Sequence, residues 1–175
     1  GWALDIPNIL CLYGDEVKGG DQPDTKEVRD LDTIGILRTA HEIKTKKMYP
    51  SGRKINDAPE FFIGGADTPF KINNDFDGLN LIKKIEAGVE FFQTQYVFEP
   101  DILKNYMLKL KQLKITDKAY FIIGLGVIKS AKSARWMNKN LFGINIPDEI
   151  INRIEQSNNE SLEGIKICIE LIDKY

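Results

Sequence analysis

Histidine is almost missing from this 175-residue chain, which has only His41. That excludes most Ser-His and Cys-His catalysis and any multi-histidine metal centre. Cysteine is scarce too. Cys11 and Cys168 cannot build a disulfide framework, although a single pair is not excluded by sequence. Both lie in apolar runs, as buried free thiols do. There is no basic excess: 24 Lys and Arg face 26 Asp and Glu, a net charge of −2. Nucleic-acid binders usually carry the opposite balance. No apolar run approaches the roughly 20 residues that span a bilayer. Gly1-Trp2-Ala3-Leu4-Asp5 shows no basic segment followed by an apolar one, so no signal peptide is visible and a cytoplasmic location is expected. The chain opens on Gly1 without an initiator methionine and holds no repeat or low-complexity tract.

What is present is ordinary for a soluble domain: 42% hydrophobic and 29% charged residues. The length allows one domain with a real core, read as a single segment over 1–175. Apolar runs of strand length alternate with stretches of helical period. The runs are 9–12, 61–63, 91–98 and 120–123. After the first, Ile34, Leu37, Ala40, His41 and Lys44 recur at helical spacing, with Asp32 as the N-cap. Leu79, Ile82, Ile85 and Ala87 predict a helix that Gly88 ends. Ile102 to Leu113 predicts another, and helices over 131–138, 148–155 and 162–173 close the chain. Strict alternation means a parallel α/β sheet with right-handed crossovers. Two architectures remain open: a doubly wound open sheet, or about four βα units of a (β/α)₈ barrel, which in full needs about 250 residues.

In either case the strand C-termini share a face where ligands bind. They carry Asp15, Gly64-Gly65-Ala66-Asp67, Gln95 with Phe98-Glu99, and 126–130. Glycines that let backbone approach a flat ring, one carboxylate and one amide suit an uncharged heteroaromatic ligand. Asp15, Asp67 and Glu99 could be arranged to hold Mg²⁺, but no spacing demands it, and no metal is expected. Gly124-Leu125-Gly126 lacks the third glycine of a dinucleotide fingerprint. Asp77, Asn80 and Lys84 are three and four apart, a shared helix face. That row reads either as a solvated surface or as a grip on a ribose and a phosphate. His41 reads as a surface or boundary residue, Lys44–Lys47 as a solvated helix end, and Trp136-Met137 as core. Gln95, polar in an apolar strand, must pair with protein or ligand, because an unpaired buried amide costs about 1–3 kcal/mol. At a strand end, a ligand partner is expected.

Several stretches together resemble the methylenetetrahydrofolate reductase family. They are 8–15 (Asn-Ile-Leu-Cys-Leu-Tyr-Gly-Asp), 20–23 with 30–32, 62–70 (Phe-Ile-Gly-Gly-Ala-Asp-Thr-Pro-Phe), 84–88, 92–95 and 129–135. The resemblance implies a partial TIM-type (β/α)₈ flavin barrel that reduces 5,10-methylenetetrahydrofolate to 5-methyltetrahydrofolate, in one-carbon metabolism and methionine biosynthesis. It implies FAD, or FMN, with NADH or NADPH as donor. Asp15 resembles the family's strand-end aspartate near flavin and folate, where it acts in catalysis. Gly14, Gly64, Gly65, Ala66 and Thr68 resemble flavin-lining positions. Asp77, Asn80, Lys83 and Lys84 resemble the ribose and phosphate grip, and Gln95 resembles the glutamine that binds the folate pterin.

The chain departs from the family at Tyr13, where some members have Arg, at Thr68, and at Ala134 and Asn138, where some carry Gln and Phe contacts. The match corresponds to the fourth through seventh strands of the family barrel. The family's catalytic glutamate belongs to the earlier strands, so little turnover is expected of this chain alone. A homo-oligomer, or pairing with a chain carrying the missing strands, is expected. The rival reading is a non-catalytic flavin- or folate-binding or scaffold subunit.

Overall fold

The computed structural model describes residues 1–14, 17 and 20–175. After a short 3₁₀ turn at Trp2–Leu4, the order is β1 (Asn8–Cys11), α1 (Thr33–Lys46), β2 (Phe62–Asp67), α2 (Leu79–Glu86), β3 (Phe91–Tyr96), α3 (Pro100–Gln112), β4 (Tyr120–Gly124), α4 (Ala131–Asn140), α5 (Asp148–Glu155) and α6 (Glu160–Ile172). The four strands are parallel and form one sheet in the order β1-β2-β3-β4. A doubly wound sheet reverses its strand order at a switch point, whereas a barrel keeps neighbours in chain order. The sequential order therefore decides for part of a TIM-type barrel.

Local chemistry sets the element ends. Asp32 caps α1 by accepting from the Gly35 amide at 2.7 Å, which satisfies one of the free donors of the first turn. Ser130 and Ser133 close a reciprocal capping box at the start of α4, at 3.1 and 3.2 Å. Pro100 opens α3, where a missing N–H costs nothing. Gly88 follows α2 with φ +110°, in the conformation that suits glycine.

One strand is longer than its composition suggests. The sequence reading ends the second run at Ile63, yet the strand continues through Asp67. Leu10 pairs with Gly64 and Cys11 with Gly65 in parallel register. A Cβ on Gly64 would lie 2.2 Å from the Phe91 ring, and one on Gly65 would lie 3.0 Å from Val89. Ladder pairing and the rings packed over these glycines override their weak strand preference.

Two compact units divide the chain. The first comprises 1–66, 79–92 and 118–120. Its core holds Leu37, Ile63, Leu81, Val89, Phe91 and Phe92, all buried. Phe62 stacks on Phe91 at 5.1 Å. Lys44 is no solvated helix end, as its Nζ donates to both oxygens of Glu90 at 3.0 and 2.8 Å, and Glu90 also accepts from the Ile63 amide. The pair ties α1 to β2. His41 is half-buried against Gly88, the boundary position expected of it.

The second unit comprises 67–78, 93–117 and 121–175. An apolar cluster in it includes Phe98, Ile128, Ala134, Ile146, Ile154 and Ile167, gathered where α4, α5 and α6 pack on one another. Met137 joins this cluster. Trp136 does not: it is 57% exposed, because the helix face that buries Ala131 and Ala134 turns it outward. Among the described residues no helix is long and apolar enough to cross a membrane.

Candidate functional site

The expected site residues fall at and beyond the strand ends. In the first unit, Gly14 follows β1 with φ +85° and open space where a Cβ would stand. Tyr13 beside it stacks under the Arg29 guanidinium, 4.3 Å from its ring centre, a cation–π contact. Asp15, expected to act in catalysis and in flavin and folate binding, lies outside the described residues.

Gly64 and Gly65 are buried within β2. The space that their missing side chains leave is taken by Phe91 and Val89, so side-chain packing accounts for both glycines. Ala66 presents its carbonyl to the Lys84 ammonium at 2.6 Å. This charge-assisted bond ties α2 to the end of β2. Asn80 and Lys84 are four apart on α2 and share a face, with Lys83 next to them and exposed. Asp77 does not share that face. Gly78, at φ +70°, cannot enter a right-handed helix, so α2 starts at Leu79 and Asp77 stays in the preceding loop.

In the second unit, Gln95 is partly buried near the end of β3. Its Nε2 donates to the Phe142 carbonyl at 3.1 Å, and its Oε1 accepts from the Tyr96 amide at 2.9 Å. Both ends of the amide are therefore satisfied from within the protein. The reason is the turn after α4, which swings Phe142 over the strand end. The next residue, Gly143, has φ +75°, and a Cβ on it would lie 2.5 Å from the Thr68 methyl. One turn therefore touches both Gln95 and Thr68.

Thr68 also lines a cavity of about 450 Å³ with Phe70, Tyr96, Glu99, Gly143 and Asn145. Asn145 donates to Glu99 at 2.5 Å across its rim. Two larger cavities in this unit, about 600 and 730 Å³, lie along α3, α5 and the chain end; the first is lined by Phe98 and Glu99, and neither contains a residue matched to flavin or folate binding.

Sequence reasoning missed two buried polar groups. Thr94 is 5% exposed; its Oγ1 accepts from the Gly124 amide at 2.8 Å and so links β3 to β4. Tyr106 on α3 donates to Asp67 Oδ1 and Oδ2 at 3.0 and 3.1 Å. Burial, with the Asp67 charge beside it, pushes the Tyr106 phenol far above its ordinary range. The signal for Tyr106 was an aromatic on the apolar face of a helix, which reads as core.

The donor chemistry answers whether a flavin dinucleotide suits these residues. Two lysine ammonium groups and an amide on one short helix, Asn80, Lys83 and Lys84, fit a diphosphate. The glycine pair supplies no ring cradle, since side chains fill it.

Comparison with known proteins completes the picture. The sequence model of the methylenetetrahydrofolate reductase family matches residues 1–175. A curated relative from Caenorhabditis elegans, named probable methylenetetrahydrofolate reductase (NADPH), is 26% identical over 173 residues. The match covers 97% of this chain and 24% of the relative, so the chain spans about a quarter of that protein's length. A solved structure from Clostridium thermocellum, described as an uncharacterized protein that binds two copies of 5-methyl-5,6,7,8-tetrahydrofolic acid, aligns with a TM-score of 0.53 at 20% identity. It covers 66% of this chain and 41% of that one, a likeness of fold. With the sequential strand order of a partial TIM-type barrel and a family match along its whole length in agreement, the chain belongs to the methylenetetrahydrofolate reductase family.

Proposed function

We propose that the chain supplies part of a flavin-dependent reductase barrel that converts 5,10-methylenetetrahydrofolate to 5-methyltetrahydrofolate. The observation that carries this reading is the family match over all 175 residues. The name of the worm relative points to NADPH as donor; NADH serves the same chemistry. The folate-binding neighbour supports folate as the substrate class.

Within the first unit, Asn80, Lys83 and Lys84 would hold the diphosphate of FAD, and Gly14 and Ala66 are the remaining candidates by resemblance for lining the flavin. FMN, with a single phosphate, would need fewer of these donors. In the second unit, Thr68 and Asp77 are, by the family resemblance, further flavin-binding candidates. Bound flavin supplies a group that can accept a hydride from nicotinamide and pass one to a folate carbon. By the family resemblance, the carboxylate of Asp15 would favour the cationic iminium form of the folate. Gln95 binds the pterin by exchanging its hydrogen bond to the Phe142 carbonyl for one to the ligand, at little net cost.

The decisive experiment is titration of the purified chain with FAD, followed by anaerobic addition of methylenetetrahydrofolate to the reduced, flavin-loaded protein. Binding with a flavin absorbance band is expected, with little or no folate-dependent reoxidation from this chain alone. A chain supplying the missing strands should restore turnover. Rapid turnover by the isolated chain would overturn the partial-barrel reading, and no flavin binding would overturn the cofactor assignment. A second reading, a non-catalytic binding or scaffold subunit, draws on the protein-satisfied Gln95 amide. It predicts folate or flavin binding without turnover even beside the complementary strands. The same mixing experiment reads oligomeric state, where a homo-oligomer or a complemented complex is expected.

A further inference from the structure

The segment 67–78, in the second unit, begins at the end of β2 and carries two of the proposed flavin contacts, Thr68 and Asp77. Beyond Asp67 it has no helix or strand, yet it is pinned in three places. At its start, the Asp67 carboxylate takes both the Tyr106 hydroxyl and the Thr68 amide, the latter at 2.8 Å. In its middle, Phe70 and Phe76 close on each other at 5.5 Å and on the Tyr106 ring at 5.8 and 5.5 Å. At its end, Gly78 sits so close to Ile115 that a Cβ would lie 2.5 Å from the Ile115 Cδ1. Two of the three pins are the same residue. Tyr106 is 1% exposed and meets the segment with both its ring and its hydroxyl.

We infer that Tyr106 is a positioning residue, which fixes the 67–78 segment through the Asp67 carboxylate and thereby sets where Thr68 and Asp77 stand to meet a flavin. A core tyrosine needs only some partner for its hydroxyl. This one spends it on the carboxylate that also holds the backbone of Thr68. Burial keeps the phenol protonated far beyond the ordinary tyrosine range, so the donor does not switch off at working pH. Apolar Phe70 and Phe76 both meet the Tyr106 ring, while the Asp77 side of the segment is exposed.

The flavin part of this inference rests on the proposed function, so the test has two independent readouts on the 175-residue chain. The first is FAD affinity. Tyr106→Phe keeps the ring and removes the hydroxyl, and it is expected to weaken FAD binding by about tenfold. Asp67→Leu is expected to weaken it similarly, and the double variant no further, because both remove one link. Asp67→Asn is expected to bind FAD within about twofold of the parent, because the Tyr106 hydroxyl and the Thr68 amide both reach Oδ1. The second readout is hydrogen exchange at the amides of 68–78. It is expected to quicken about tenfold in Tyr106→Phe and to stay near the parent rate in Asp67→Asn, with α5 and α6 unchanged in both.

Failure of the parent to bind FAD would strike the cofactor reading alone and leave the exchange test standing. Unchanged exchange in Tyr106→Phe, or uniform acceleration throughout the second unit, would overturn the positioning role. So would additive losses in the double variant. If Tyr106→Phe does not fold, Asp67→Leu and Asp67→Asn decide the same question. Equal exchange at 68–78 in those two variants would then sink it.

Discussion

Gly164→Ala is expected to lower the unfolding free energy of the chain by about 3 kcal/mol, although alanine is the better helix former. The residue lies inside α6. Propensity alone would forecast a gain of about 1 kcal/mol. Contact geometry reverses that sign. A Cβ at this position would lie 1.8 Å from the Ile128 carbonyl oxygen and 2.9 Å from its carbon. These are backbone atoms, which cannot rotate away as a side-chain tip can. Relief requires α6 to slide off the segment between β4 and α4, which would loosen Ile128, Ile154 and Ile167 from their shared core. Urea unfolding followed by far-ultraviolet circular dichroism gives the number directly. A variant as stable as the parent would mean that α6 does not pack this closely.

Lys84→Glu carries the second large effect, on the cofactor. The parent ammonium holds the Ala66 carbonyl at 2.6 Å and stands on the face of α2 that also presents Asn80. Reversing its charge should weaken FAD binding by about 100-fold, since one attraction to a phosphate becomes a repulsion. Lys84→Met separates the two roles. It keeps most of the stem and removes the charge, with an expected loss of about tenfold in affinity and about 1–2 kcal/mol in stability from the carbonyl left behind. Flavin fluorescence titration measures the first quantity and denaturant unfolding the second. If both variants bind FAD like the parent, Lys84 serves only to join α2 to β2.

Much of the architecture was legible because periodicity is a strong signal where elements are bounded by clear stops. The reading of α5 over 148–155 matches the observed helix residue for residue, with Pro147 before it and Gln156 after. The four strands were found from four apolar runs. What failed were places where a distant neighbour outvotes local preference. Gly64 and Gly65 look like a loop until Phe91 is seen packed against one and Val89 against the other. Lys44 looks solvated until Glu90 arrives from 46 residues away.

The candidate site was legible in part for the same reason. Asn80 and Lys84 share a face as spacing foretells, whereas Asp77 is cut from the helix by a single positive-φ glycine. Gln95 was correctly marked as a polar group that needs a partner, but the partner is a carbonyl 47 residues later, which no local pattern encodes. Tyr106 was invisible because a helix-face aromatic looks the same whether or not its hydroxyl has work to do.

The two cysteines, one in each unit, differ in their access to solvent. Cys11 is buried in β1, and desolvation raises its thiol above the usual range. Cys168 is partly open on α6. The nucleophile in alkylation is the thiolate, so Cys11 stays protected while β1 remains paired with β2. The chain therefore carries its own pair of chemical clocks, one timing release of the first strand and the other reporting the accessible flank of the last helix.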